Sequence, residues 1–72
     1  MQKSIYSKEY RKVVERLKKT RQEAGLKQVE VAKKLRKPQS FVSKVERGER
    51  RLDVAELKQL AEVYKKPVSY FL

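Results

Sequence analysis

The 72-residue sequence contains no cysteine, no histidine and no tryptophan. Without cysteine there is no disulfide staple, no thiolate nucleophile and no Cys-based zinc site. Without histidine the usual general base and the commonest nitrogen metal ligand are missing. Glu9, Glu15, Glu23, Glu30 and Glu56 form no metal-binding or catalytic cluster. No enzyme activity, metal or cofactor is therefore expected. Apolar runs are short, and none approaches the roughly 18 residues that a membrane span needs. The N-terminus is charged, not an apolar block, so nothing points to export. The length allows one domain and excludes a doubly wound sheet or a barrel.

Positive charge is what the chain has in quantity. It carries 20 Lys+Arg against 9 Asp+Glu, a formal net charge of +11. An excess of this size on a small domain points to a polyanionic partner. The 39% apolar fraction argues against a disordered basic tail. The charge is unevenly placed. Residues 1–24 hold 8 basic and 3 acidic side chains, residues 25–52 hold 9 and 3, and residues 53–72 hold 3 and 3. The whole excess lies before Asp53.

Two glycines and two prolines punctuate the chain, and the segments between them have helical periodicity. The first spans about Ser7–Ala24. Ser7 suits an N-cap and Glu9 the first turn. Tyr10, Val13, Val14, Leu17 and Ala24 form an apolar stripe, and Gly25 is the stop. The second spans about Gln28–Leu35, with Val31, Ala32 and Leu35 inward and Val29 able to join them. Pro38 breaks it. The third begins at Pro38 or Gln39 and ends at Arg47, before Gly48. Val42 and Val45 point inward, leaving Gln39, Ser40, Ser43, Lys44 and Arg47 outward. The fourth opens on Asp53 with Glu56 three residues on, a capping-box pattern flanked by a Leu52–Leu57 staple. Val54, Leu57, Leu60, Ala61 and Tyr64 continue its inner stripe. Pro67 can open a last short helix over 67–72, with Val68, Phe71 and Leu72 apolar. Tyr10, Tyr64 and Phe71 read as core; Tyr6 and Tyr70 are open. No segment alternates like a strand. The expected fold class is all-α, a compact domain of five short helices, with residues 1–7 as a lead-in.

The pair at 28–35 and 39–47 is the informative part. Two short helices joined by so tight a turn must cross steeply, as in a helix-turn-helix, which places that unit at 28–47. The small Ala32 sits where they would cross. Gln39 and Ser40 offer donors and acceptors to base edges. A bidentate glutamine suits adenine, and Lys44 suits guanine O6 and N7. Lys18, Lys19, Lys33 and Lys34 read as ordinary solvated side chains.

Residues 13–72 resemble the phage repressor and Cro family of helix-turn-helix DNA-binding domains, the XRE family. The resemblance rests on RQEAGLKQVEVAKKL at 21–35, PQSFVSKVERG at 38–48, LDVAELKQLAEVY at 52–64 and a closing PVSYFL. It implies that Gln28 bonds a DNA phosphate and braces the recognition helix. It implies that Gln39 reads a base, with Ser40, Ser43 and Lys44 at further groove-facing positions. Phe41 falls at a variable position from which it could touch a thymine methyl. Arg47, Arg50 and Arg51 match phosphate-binding positions. Arg21 and Glu46 match a structural ion pair tying the first helix to the third. Two departures stand out. Pro38 replaces the usual Ser or Thr cap, and Arg36–Lys37 replace the usual turn of glycine and an aliphatic residue.

The function so implied is sequence-specific binding of double-stranded DNA by a transcriptional regulator, in the first instance a repressor. Its expected partners are a near-palindromic operator and a second copy of the chain, joined through the C-terminal helices. The resemblance further implies a cytoplasmic protein of bacterial or phage origin, on the nucleoid when bound. Activation through polymerase contact, as in small controller proteins, is the other sign of regulation. An alternative from another class is an antitoxin or protein-interaction module on the same fold, but no added toxin-binding segment is visible. A membrane-surface domain would need bulky apolar anchors opposite a basic face. An RNA binder would need exposed aromatics.

Overall fold

The computed structural model describes residues 7–72 and contains four α-helices: α1 (Lys8–Glu23), α2 (Gln28–Leu35), α3 (Gln39–Glu46) and α4 (Val54–Val63). A 3-10 turn, Val68–Phe71, closes the chain. No strand occurs among the described residues. Ile5, Tyr6 and most of the expected lead-in lie outside them.

Local chemistry accounts for each boundary. The Ser7 hydroxyl accepts the Tyr10 amide at 3.1 Å and opens α1. Gly25 closes it at φ +72, a left-handed conformation that glycine adopts without steric cost. At the start of α2 the Lys27 amide donates to the Glu30 carboxylate at 2.7 Å. At its end the Lys37 amide reaches back to the Ala32 carbonyl at 3.0 Å, a Schellman-type closure. That closure puts Arg36 in the left-handed region, φ 60 and ψ 42. Pro38 is the extended residue before α3 and supplies no side-chain cap. The capping box of α4 is complete. The Glu56 amide donates to Asp53 Oδ1 at 2.7 Å, and the Asp53 amide to Glu56 Oε1 at 3.0 Å.

The expectation of five helices is corrected to four helices and a 3-10 turn. Pro67 lacks an amide proton, and the four residues after it close i→i+3 bonds such as Tyr70 N–H to Pro67 C=O, 3.0 Å. So short a segment cannot establish an α-helical ladder. Three apolar positions also differ from the expected stripes. Ala24, at the end of α1, is exposed, and so is Val29 on α2. Val54 is 74% exposed, because the first position of α4 points away from the core.

One apolar cluster holds the elements together. Leu17 of α1, Val31 and Ala32 of α2, Val42 and Val45 of α3, Leu60 and Ala61 of α4 and Phe71 are buried in it. Ala32 lets α2 and α3 approach closely. α1 packs on α3, α4 on α2, and the closing turn bridges α1 and α4. A long-range bond fixes the loop after α3: the Leu52 amide donates to the Tyr10 hydroxyl at 2.7 Å. Further along α1, Arg16 Nη1 donates to the Leu72 carbonyl at 2.9 Å. Phe71 lies edge-on to Tyr70, with ring centroids 5.2 Å apart.

Candidate nucleic-acid interface

The buried side of α3 holds Phe41, Val42 and Val45. Its outer side is polar. Ser40, Ser43, Lys44 and Arg47 follow the i, i+3, i+4, i+7 spacing of one helical stripe, and Gln39 adjoins them at the N-terminal end. Gln39, Ser40, Lys44 and Arg47 are exposed; Ser43 is half-buried. These side chains reach solvent together because the opposite face is committed to the core.

Behind the stripe, three helices meet on one carboxylate. Arg21 of α1 donates from Nε to Glu46 Oε2 at 2.7 Å and from Nη2 to Oε1 at 3.1 Å. Its Nη1 donates to the Leu26 carbonyl at 2.7 Å. Gln28, the first residue of α2, donates from Nε2 to Glu46 Oε1 at 3.0 Å. The Arg21 and Glu46 side chains are only 12% and 4% exposed. The hydrogen bond to Glu46 raises the Arg21 pKa further, against the effect of burial. Burial pushes the nearby Tyr64 phenol above its ordinary range; the Glu46 charge adds to this and Arg21 opposes it. The amide of Gln28 therefore links α2 to the end of α3, and its carbonyl oxygen and second amide proton remain for other partners.

The expected basic residues occupy different settings. Arg47 makes a long, exposed pair with Glu49, 3.3 Å. Arg51 is exposed and lies over the Tyr10 ring, 4.9 Å from its centroid. Arg50 is more constrained. Its Nη1 and Nη2 donate to Glu56 Oε1 and Oε2 at 3.0 and 2.9 Å, and Nη1 also donates to the Arg51 carbonyl at 2.9 Å. Burial alone would raise the Glu56 pKa, but bonds from Arg50 and the Asp53 amide outweigh it. The carboxyl is held below its ordinary value.

Phe41 requires a correction. It is buried, not outward, so it has no path to a thymine methyl. It lies four residues before Val45 and so joins the inner stripe of α3. Its ring carries Lys37 Nζ at 4.9 Å and Arg50 Cζ at 4.7 Å from the centroid. Lys37 and Glu56 thus belong to the surroundings of the site without having been expected there. Lys27, exposed beside Gln28, is a further cation next to it. The i, i+4 relation to Val45 was the available signal for Phe41. No local spacing links Arg50 to Glu56 across the loop. Among the described residues no cluster of acidic side chains is placed to hold a metal, and no helix is long and apolar enough to cross a membrane.

The helix-turn-helix family model matches residues 17–71. The chain belongs to the XRE-type helix-turn-helix family. The matched span begins at Leu17 in the middle of α1 and ends at Phe71, so it includes α2, α3, α4 and the closing turn. Curated proteins gave no sequence match. The XRE-type family is one of DNA-binding transcriptional regulators.

Proposed function

We propose that this XRE-type domain binds duplex DNA sequence-specifically as a transcriptional repressor, with α3 in the major groove. The observation that carries this reading is the polar stripe on α3, set on a helix whose other face is buried. Gln39, Ser40, Ser43 and Lys44 read base edges, with Gln39 suited to adenine and Lys44 to guanine. Gln28, Arg47, Arg50 and Arg51 hold the phosphate backbone and set the helix in register. The Arg21–Glu46 pair keeps α1 and α3 in fixed relation. Excess charge on residues before Asp53 adds non-specific attraction.

The domain acts on a near-palindromic operator as a two-fold dimer, which places two α3 helices about 34 Å apart, one turn of DNA. The dimer contact is assigned to the C-terminal elements, where Leu72 is 71% exposed and Tyr70 is also exposed. Repression follows from occupying a promoter. The setting is the cytoplasm of a bacterium, with the gene of bacterial or phage origin.

Competition at graded salt tests the class of partner. Duplex DNA, single-stranded RNA and anionic vesicles are titrated in parallel. Duplex DNA is expected to bind most tightly, with a log–log salt slope that counts the phosphates neutralised. Equal or tighter binding to RNA or vesicles contradicts the proposal.

A further inference from the structure

The ring of Phe41 is shared by two cations that come from opposite ends of α3. Lys37 belongs to the turn before the helix and Arg50 to the loop after it, and they lie 4.9 and 4.7 Å from the centroid. Arg50 is further held by a two-pronged ion pair to Glu56 and by the bond to the Arg51 carbonyl. Glu56 is itself fixed, because it accepts the Asp53 amide in the capping box that opens α4. Its side chain is largely buried, whereas that of Arg50 remains 42% exposed. Lys37 is close enough to add to the electrostatic stabilisation of the Glu56 carboxylate. A ring and a carboxylate from two helices therefore hold one guanidinium and one ammonium at the edge of the base-reading stripe.

We infer that Phe41 and Glu56 are positioning residues, which hold Arg50 and Lys37 as a preorganised two-cation clamp for the DNA backbone. The inference rests on the duplex-binding reading above. Its physical basis is entropic. A free arginine or lysine must give up rotamer freedom when it meets a phosphate; Arg50, held by a ring, a carboxylate and a carbonyl, has given up much of it in the folded protein, and Lys37, held by the ring, a smaller part. Cation–π contact with a buried ring adds to this without itself offsetting charge; for Arg50 the ion pair to Glu56 offsets part of it.

The roles of Glu56 can be separated by sign. As a mere anion near a polyanion, Glu56 repels DNA, and its neutralisation tightens binding. As a positioning residue it aids binding, and its neutralisation weakens it. Glu56→Gln is the informative variant, since glutamine also serves at the third position of a capping box and preserves the start of α4. Dissociation constants are measured for the best duplex site and a scrambled duplex, for wild type, Glu56→Gln, Arg50→Ala and the double variant. Circular dichroism confirms that each is folded at the temperature used. Glu56→Gln is expected to weaken both duplexes about three- to tenfold, with the ranking of base preferences unchanged. It is expected to add little weakening once Arg50 is gone. Phe41→Leu is expected to weaken both duplexes while Phe41→Tyr, which keeps a ring face, binds like wild type. Tighter or unchanged binding by Glu56→Gln overturns the clamp, and so does additive weakening in the double variant. Failure of the wild-type protein to bind duplex DNA would instead overturn the function on which the clamp rests.

Discussion

Gln28 on α2 donates from Nε2 to Oε1 of Glu46 on α3, 3.0 Å away. The same carboxylate takes two bonds from Arg21 of α1, so its two oxygens join three helices. One buried anion thus ties α2 and α3 to each other and to α1, in addition to their apolar packing. Glu46→Ala would leave Arg21 buried without its counter-charge and Gln28 without its acceptor. Breaking one side of a buried pair costs about 3–5 kcal/mol. A core of this size supplies a similar net amount, roughly 3–5 kcal/mol. Glu46→Ala is therefore expected to be largely unfolded at 25 °C by circular dichroism. A cooperative melt close to that of wild type would show that the pair is dispensable.

Arg36 bears a backbone cost of its own. It holds φ 60 and ψ 42 to close α2, although a β-carbon is disfavoured there. Arg36→Gly is expected to be more stable than Arg36→Ala by about 1 kcal/mol, since both lose the same charge and only glycine relieves the backbone. For a domain of 60–100 residues this corresponds to a difference in Tm of roughly 4–8 °C. Equal melting temperatures would mean that the left-handed closure is not what limits this turn.

Acid should destabilise the loop between α3 and α4 through Glu56. Its folded-state pKa lies below the ordinary 4.5, because Arg50 and the Asp53 amide favour the carboxylate more than burial disfavours it. A depressed pKa stabilises the fold above the unfolded value, and that stability is lost as pH falls through the folded value. Urea midpoints should therefore drop as pH is taken from about 5 to below 4. The drop should be smaller in Glu56→Gln, which has no proton to gain. Parallel pH profiles for the two proteins would count against this.

Arg47 should contribute affinity without stability. Its pair with Glu49 is long, and the side chains are about half exposed; such surface pairs contribute roughly 0–1 kcal/mol. Arg47→Ala is expected to melt like wild type and to weaken all duplexes about equally. It should also lower the salt slope by about one unit for each phosphate that the arginine no longer neutralises. A loss confined to particular sequences would move Arg47 from the phosphate group of residues to the base-reading group.

Local chemistry made much of the fold legible. Ser7, Gly25 and the Asp53–Glu56 box mark helix ends by hydrogen bonds to near neighbours, and the structure places boundaries beside them. What was not legible depended on choices that spacing leaves open. Four apolar-rich residues after Pro67 fit an α or a 3-10 turn equally well. The Arg36 side chain itself carries no sign of a left-handed backbone; the one hint was that Arg36–Lys37 stand where the resemblance places glycine and an aliphatic residue. Phe41 lies next to the outward Ser40 and within i+4 of the inward Val45, and burial decided between the two sides. Arg50 has the composition of a phosphate contact, yet its fork is engaged by a carboxylate beyond the loop. Long-range partners of that kind appear only once the chain is folded.

Base reading by the outward face of α3 is tested most directly by selecting bound sites from a random duplex library. Wild-type protein and Gln39→Ala are compared under the same salt. Wild type is expected to yield a near-palindromic consensus with half-sites about 34 Å apart. Gln39→Ala is expected to relax the preference at one position in each half-site, at a cost of about 1–3 kcal/mol on the best site. An identical consensus and identical preference from both proteins would contradict the assignment of Gln39, and with it the reading of DNA by this face of α3.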